Sequence, residues 1–322
     1  MHAPRTRVQR RPVHGVLLLD KPLGLSSNDA LQKAKWLLRA EKAGHTGTLD
    51  PLATGVLPLC FGAATKFSQI HLDAHKSYEA VLRLGIRTST GDAEGEVVAE
   101  RPLVHTPYRL QEVLRQFTGP IRQVPPMHSA LKKDGRALYE YARAGIEVER
   151  AARDVHIFKL KVLDPSVDGS PAAIKIEVSC SKGTYIRTLG EDIGEALGCG
   201  AHLASLRRIA TGPFTLDRCV TLAALEAMDE TRRERCLLPV DALLAGYSPL
   251  KLDETDAMRF LSGVRRRGSW PDLARVAVYG PDPGALLGTA HVAAGELIPT
   301  RLLSPIEIDQ ILKYSPQTLC AA

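Results

Sequence analysis

A chain of 322 residues, 44% hydrophobic and 24% charged, has the makeup of an ordinary globular protein with room for one large domain and a small one. Its net charge of +6 suits a polyanionic partner without requiring one. No run approaches the length of apolar sequence that a membrane-spanning helix needs, and the N-terminus lacks the apolar core of a secretory signal.

Residues 1–13 carry Arg5, Arg7, Arg10 and Arg11 and no acid, and read as a basic, flexible arm. GVLLLD at residues 15–20 is a short apolar run that predicts a buried strand. Pro22 and Gly24 then turn the chain. Ser26 and Ser27 offer caps for a helix with Leu31, Ala34 and Leu38 on its apolar face. Lys21, at the strand's end, is either an ordinary exposed lysine, a support for the next loop, or a phosphate contact.

Residues 43–59, AGHTGTLDPLATGVLPL, hold three Gly, two Pro, one His and one carboxylate. That density of Gly and Pro breaks helices and central strands. Leu49, Leu52, Val56, Leu57 and Leu59 nevertheless anchor the stretch to a core. An anchored irregular loop is where a rigid scaffold displays reactive groups. Asp50 sits in its middle, before Pro51. Taken alone it caps a turn, as Asp-Pro pairs often do.

YEAVLRL at residues 78–84 alternates, with Tyr78, Ala80, Leu82 and Leu84 on one face. Thr106 and Pro107 open a helix whose stripe is Leu110, Val113, Leu114 and Phe117. Residues 121–153 interleave Lys132, Lys133, Arg136, Arg143, Arg150 and Arg153 with Tyr139 and Tyr141. Such a mixture suits a surface that grips folded RNA, or simply a solvated helix. Residues 155–163 and 174–180 read as strands. Together these elements predict an α+β domain built on a mixed, largely antiparallel sheet.

Residues 181–198 form a loop leading into a helix with Ile186, Leu189, Ile193 and Leu197 as its buried stripe. Arg187 adjoins that stripe, so it needs a partner or a route to water. A short helix is expected at residues 221–228, and residues 239–244 end the first domain. From about Ser248 the texture changes to short strands and turns, fitting a small β-barrel. Arg265, Arg266 and Arg267 are its best candidates for phosphate contacts. The domains are thus an arm (1–13), a main domain (14–245, insertion about 121–153) and a C-terminal module (246–322). The six cysteines, at positions 60, 180, 199, 219, 236 and 320, form no CxxC pair. That argues against a zinc ribbon or disulfide framework and for reduced thiols in a cytoplasmic protein.

HTGTLDPLATGVLPL, at residues 45–59, resembles the catalytic-aspartate loop of the TruB family of tRNA pseudouridine synthases. DKPLGLSS at 20–27, SKGTYIRTLGEDIG at 181–194 and LRRIATGPF at 206–214 resemble further motifs of that family, in the same order. The resemblance runs from about His14 to the C-terminus. It implies the pseudouridine synthase fold with an RNA-clasping insertion and a PUA-like RNA-binding barrel. It implies a stand-alone bacterial enzyme that isomerises uridine 55 in the T-loop of tRNA. Cofactor, metal and guide RNA are not expected, and neither is a membrane; a monomer acting on the T-arm is. Asp50 would be the nucleophile or base, by attack at C1′ or C6 or by deprotonating C2′. Tyr78 would stack on the extruded uracil and help remove the C5 proton. Arg187 would pair bidentately with Asp50. Tyr185 and Leu206 would line the uridine pocket, and His45 would contact the loop and fill the vacated space. Competing readings are an RNA-binding or tRNA-folding protein and an RNA-guided relative.

Overall fold

The computed structural model describes residues 9–103, 106–281 and 284–313. An eleven-stranded sheet forms the main body. Its long strands are β1 (Gly15–Lys21), β2 (Ala53–Phe61), β3 (Lys76–Leu84), β4 (Gly119–Gln123), β5 (Arg153–Asp164), β6 (Ala173–Cys180) and β7 (Ala201–Thr211). They lie in the order β1-β2-β7-β3-β6-β5-β4. Only the β2–β7 pairing among these is parallel. The expected mixed, largely antiparallel sheet is therefore present.

Strand β1 is buried on both faces, which explains its unbroken apolar run. Leu17 and Leu19 pack into the cluster that contains Ala30, Leu31 and Ala34 of helix α1 (Ser27–Leu37). Val16 and Leu18 pack on the other side with Phe67 and Phe214. Ser26 caps α1, accepting from Asp29 N at 3.1 Å while the Asp29 carboxylate accepts from Ser26 N at 3.3 Å. Helix α2 (Pro107–Gln116) begins at a Thr106 cap with Pro107 in its first turn, as the sequence indicates. Strand β3 buries Tyr78, Ala80, Leu82 and Leu84, in keeping with its alternation. The insertion carries the short helix α3 (Leu138–Arg143), and residues 181–185 lead into helix α4 (Ile186–Ala196).

Two expectations change. The arm expected over residues 1–13 is anchored in its latter part. Arg11 pairs with Glu230 at 3.2 Å and with Glu234, and its backbone bridges to Ala40; Val13 is buried. Arg5 and Arg7, like Cys320, lie outside the described residues. The C-terminal strands form a five-stranded sheet whose pairing, among the described residues, does not close from Ser248–Lys251 onto Arg266–Arg267. Its Ala277 and Leu286, with Leu303 just past its last strand, join the cluster around Val16 and Leu18, so this sheet packs against the main one. The arginine triplet also makes ion pairs within the protein, Arg266 with Asp256 and Arg265 and Arg267 with Glu296, while the Arg265 and Arg267 side chains stay 68% and 89% exposed.

Candidate active site

The Asp50 loop leaves α1, crosses the end of the sheet and returns as β2. Its shape is fixed from three sides. Ser27 Oγ donates to Leu49 O at 3.0 Å and accepts from Leu49 N at 2.7 Å, tying the loop to the start of α1. Gly24 N donates to Pro51 O at 2.9 Å. Arg208, buried on β7, donates from Nε to Val56 O at 2.7 Å and from Nη2 to Gly47 O at 3.3 Å. These two carbonyls stand on either side of Asp50, so one guanidinium clasps the entry and exit of the loop. Gly55 makes this approach possible: at φ +100° it lies so close that a Cβ would stand 2.2 Å from Arg208 O.

Arg187, the second residue of α4, reaches the loop from the opposite side. Its side chain is 6% exposed; that of Asp50 is 45% exposed. Nη2 stands 3.0 Å from Asp50 Oδ2 and donates to His128 O at 2.6 Å. Nη1 stands 3.5 Å from Asp92 Oδ2 and donates to Thr90 O at 3.3 Å. The bidentate pair expected with Asp50 is therefore replaced by a bridge. The planar fork divides its nitrogens between two carboxylates and two carbonyls, which pins its direction.

Asp50 and Arg187 stand where two cavities meet. The inner one is lined by Tyr78, Tyr185, Leu206, Lys76 and Arg208. The outer one is lined by His45, Asp92, Glu94, His128, Tyr139 and Arg143. The insertion thus supplies a wall of the outer cavity, where the Arg143 guanidinium lies 5.3 Å from the Tyr139 ring centre.

Tyr78 is buried, and burial pushes its phenol up, with Arg208 opposing. Tyr185 is raised in the same way, chiefly by burial. Its backbone is held by buried Gln123, which accepts from Tyr185 N at 3.0 Å and donates to Tyr185 O at 3.3 Å. Leu206 pairs with Ala53 across β7 and β2 and faces the inner cavity. His45 pairs with Leu59 beside the loop; burial, then Arg208, lowers its imidazole, and its Nδ1 is buried without a protein partner. Lys21 is neither exposed nor placed for phosphate. It is fully buried, donating to Pro22 O at 3.0 Å and Leu25 O at 2.5 Å, and burial brings it down to about 8. Of the readings open to it, support for the loop is the one its geometry permits.

Asp92, Arg208, Gln123 and Lys76 were not picked out by sequence reasoning. Asp92 belongs to GDAEG, which reads as a turn, and it does make one: its Oδ1 accepts from Glu94 N at 3.1 Å and from Thr90 Oγ1 at 2.5 Å. Arg208 carried a usable signal. It shares a strand face with Leu206, and a cation on an apolar face needs a reason. Lys76, brought down to about 8 chiefly by burial, donates to Leu72 O at 2.9 Å and Ala74 O at 2.6 Å. Among the described residues no three His, Cys, Asp or Glu side chains gather to hold a metal. No described helix is long and apolar enough to cross a membrane.

Comparison with known proteins bears on this site. Residues 35–186 match the TruB family pseudouridylate synthase N-terminal domain, and residues 187–245 match the tRNA pseudouridylate synthase B C-terminal domain. The chain is 65% identical over 320 residues to a tRNA pseudouridine synthase B of Verminephrobacter eiseniae, covering 98% of this chain and 96% of that one. It is 61% identical over 299 residues to the protein of the same name from Ralstonia nicotianae, covering 91% and 95%. Among solved structures, a chain of a Cbf5-Nop10-Gar1 complex superposes with a TM-score of 0.68 at 25% identity, over 92% of this chain and 86% of that one. A chain of an H/ACA RNP bound to a substrate RNA containing 2′-deoxyuridine gives 0.66 at 23%, over 91% and 86%, and shows the fold alone. The chain belongs to the TruB family of pseudouridylate synthases.

Proposed function

We propose that the protein is a stand-alone tRNA pseudouridine synthase that isomerises uridine 55 of the T-loop. The observation that carries this reading is the placement of Asp50: half-exposed at the junction of two cavities, bonded to Arg187, on a loop held from three sides. Family membership and the tRNA substrate named for its relatives support it.

The reaction breaks the C1′–N1 bond, turns the base, and joins C1′ to C5; the C5 proton leaves and N1 gains one. Nothing is added, so the site must release the base and recapture it before water reaches C1′. The target uridine is flipped out of the T-loop into the inner cavity, at a cost of a few kcal/mol. There its ring lies on Tyr78, between Tyr185 and Leu206. Asp50 acts as nucleophile or base. Arg187 fixes the direction of the Asp50 carboxylate and offsets part of its charge. Burial keeps the Tyr78 phenol protonated in the resting site, so it takes the C5 proton only as the phenolate, after its own proton has passed to N1; the nearby Arg208 guanidinium favours that ionised form. His45, at the outer cavity, meets the emptied loop. Lys21 stiffens the turn beneath the Asp50 loop.

The insertion at 121–153 clasps the T-arm through Tyr139 and Arg143. The C-terminal sheet, from about residue 246, serves as a PUA-like RNA-binding module. The enzyme works as a cytoplasmic monomer, without a guide RNA. Incubating the purified protein with a bare tRNA transcript and mapping pseudouridine along the chain tests this reading. Modification at position 55 alone, with no added RNA or protein, is the expected result; modification elsewhere, or a need for a guide, contradicts it.

A further inference from the structure

Strand β5 carries a bulge whose purpose lies outside the site described so far. Its pairing with β6 runs Ile157 to Cys180 and then Lys159 to Ser179, leaving Phe158 without a partner position. Bulges of this kind re-aim a side chain and are common beside active sites. Here the bulge turns out a phenylalanine that is 45% exposed. Two imidazoles gather on it. The His75 ring centre is 4.3 Å away with the planes at 34°, and the His156 ring centre is 4.6 Å away at 31°.

Through the chain this array of three rings lies within a few residues of side chains that line the inner cavity, while His75 itself lines a separate cavity with His71, Asp73 and Arg275. His156 N donates to Ser181 Oγ at 2.9 Å, and Ser181 N returns a bond to His156 O at 2.9 Å. Ser181 begins the segment whose Gly183, Thr184 and Tyr185 line that cavity. His75 immediately precedes Lys76, another lining residue. Basic residues stand near the rings in the chain: Arg153 opens the same strand and its charge reaches the Tyr185 phenol, and Lys182, largely exposed beside Ser181, pairs with Asp73 at 2.8 Å. Exposed aromatic faces in a basic setting are what unpaired nucleobases stack on.

We propose that His75, Phe158 and His156 form a second base-binding subsite, on which an unpaired nucleobase of the RNA stacks while the target uridine occupies the inner cavity. This subsite rests on the RNA-modifying reading given above and adds to it. A strand that has lost one base to the pocket has its neighbours unstacked. A platform outside the cavity returns part of that stacking and holds the strand in register for Asp50. The two imidazoles enlarge the ring surface and can donate to a phosphate or a base edge.

The test uses the full chain, an unmodified tRNA transcript tritiated at uracil C5, and the variants Phe158→Ala, Phe158→Trp and His75→Ala/His156→Ala. Tritium release gives KM and kcat, and direct titration gives tRNA affinity. Loss of a stacked base should raise KM and weaken binding about fivefold or more in Phe158→Ala, with kcat within about twofold. Phe158→Trp should keep wild-type values, and the double histidine variant should fall between. Abasic sites scanned on either side of the target should reveal one position where wild type drops to the level of Phe158→Ala and Phe158→Ala loses nothing more. Unchanged affinity in Phe158→Ala, absence of such a coupled position, or equal loss in Phe158→Trp and Phe158→Ala would overturn the subsite. If wild type releases no tritium, the isomerase reading fails, and the coupled loss of affinity still decides the subsite separately.

Discussion

Arg187 bridges Asp50 and Asp92: its Nη2 stands 3.0 Å from one carboxylate and its Nη1 3.5 Å from the other. Asp92 is buried while Asp50 faces the cavities. One carboxylate therefore serves to hold the guanidinium, and the guanidinium in turn holds the other. Asp92→Asn keeps the shape and removes the charge that orients Arg187. It should lower kcat about tenfold, equivalent to about 1.4 kcal/mol of transition-state stabilisation, while KM for tRNA stays near wild type. A rise in KM without a fall in kcat would place Asp92 in RNA binding instead.

Removing Arg187 itself acts on stability as well. Arg187→Met leaves buried Asp92 without its countercharge, and breaking such a pair typically costs about 3–5 kcal/mol. Denaturant unfolding should show a loss near the lower figure. Combining Arg187→Met with Asp92→Leu should recover most of it, because no buried charge is then left alone, but should not recover activity.

The Arg208 clasp joins both flanks of the Asp50 loop. Charge-assisted bonds to carbonyls contribute about 1.5–3 kcal/mol each, so Arg208→Met should destabilise the fold by about 3 kcal/mol or more. Arg208→Lys should not rescue it, since one ammonium cannot reproduce the spread of the planar fork. Hydrogen exchange at residues 47–56 should rise in both variants.

His71 makes acid stability testable. It is buried against Phe214, with ring centres 4.8 Å apart, and burial, then Lys76 and Arg208, brings its pKa down to about 4. A histidine lowered in the folded state resists protonation that the unfolded chain accepts near 6.5. Its contribution is fully present above that value and fades as pH falls from 6.5 towards 4. The whole window amounts to about 3 kcal/mol at most. Stability of the wild type should fall more steeply across pH 6.5–4 than that of His71→Asn; equal slopes would contradict the assignment.

Much of this was legible in the sequence, for physical reasons that differ from residue to residue. Helix α1, α2 and strand β3 follow from caps and periodicity, which are local signals. The loop around Asp50 announced itself by Gly, Pro and anchoring leucines in one stretch. The partners that hold it did not, because Ser27, Arg187 and Arg208 come from elements far apart in the chain, and only the sheet order brings β7 beside β2. Asp92 looked like a turn residue and is one; its second task depends on where α4 lands. Lys21 was open to three readings because a lysine after an apolar run says nothing about whether carbonyls stand ready to receive it. The basic arm misled in part: Arg11 is held by Glu230 and Glu234, acids more than two hundred residues away.

The most direct measurement compares tritium release from C5-labelled tRNA by the wild type and by Asp50→Asn, with no guide RNA or second protein present. Release by the wild type, a loss of about 100- to 10,000-fold in the variant, and nearly unchanged tRNA affinity are the expected results. Equal release by both proteins would contradict the assignment of Asp50, because the residue around which the loop, Arg187 and the two cavities are arranged would then not be the one that carries the reaction.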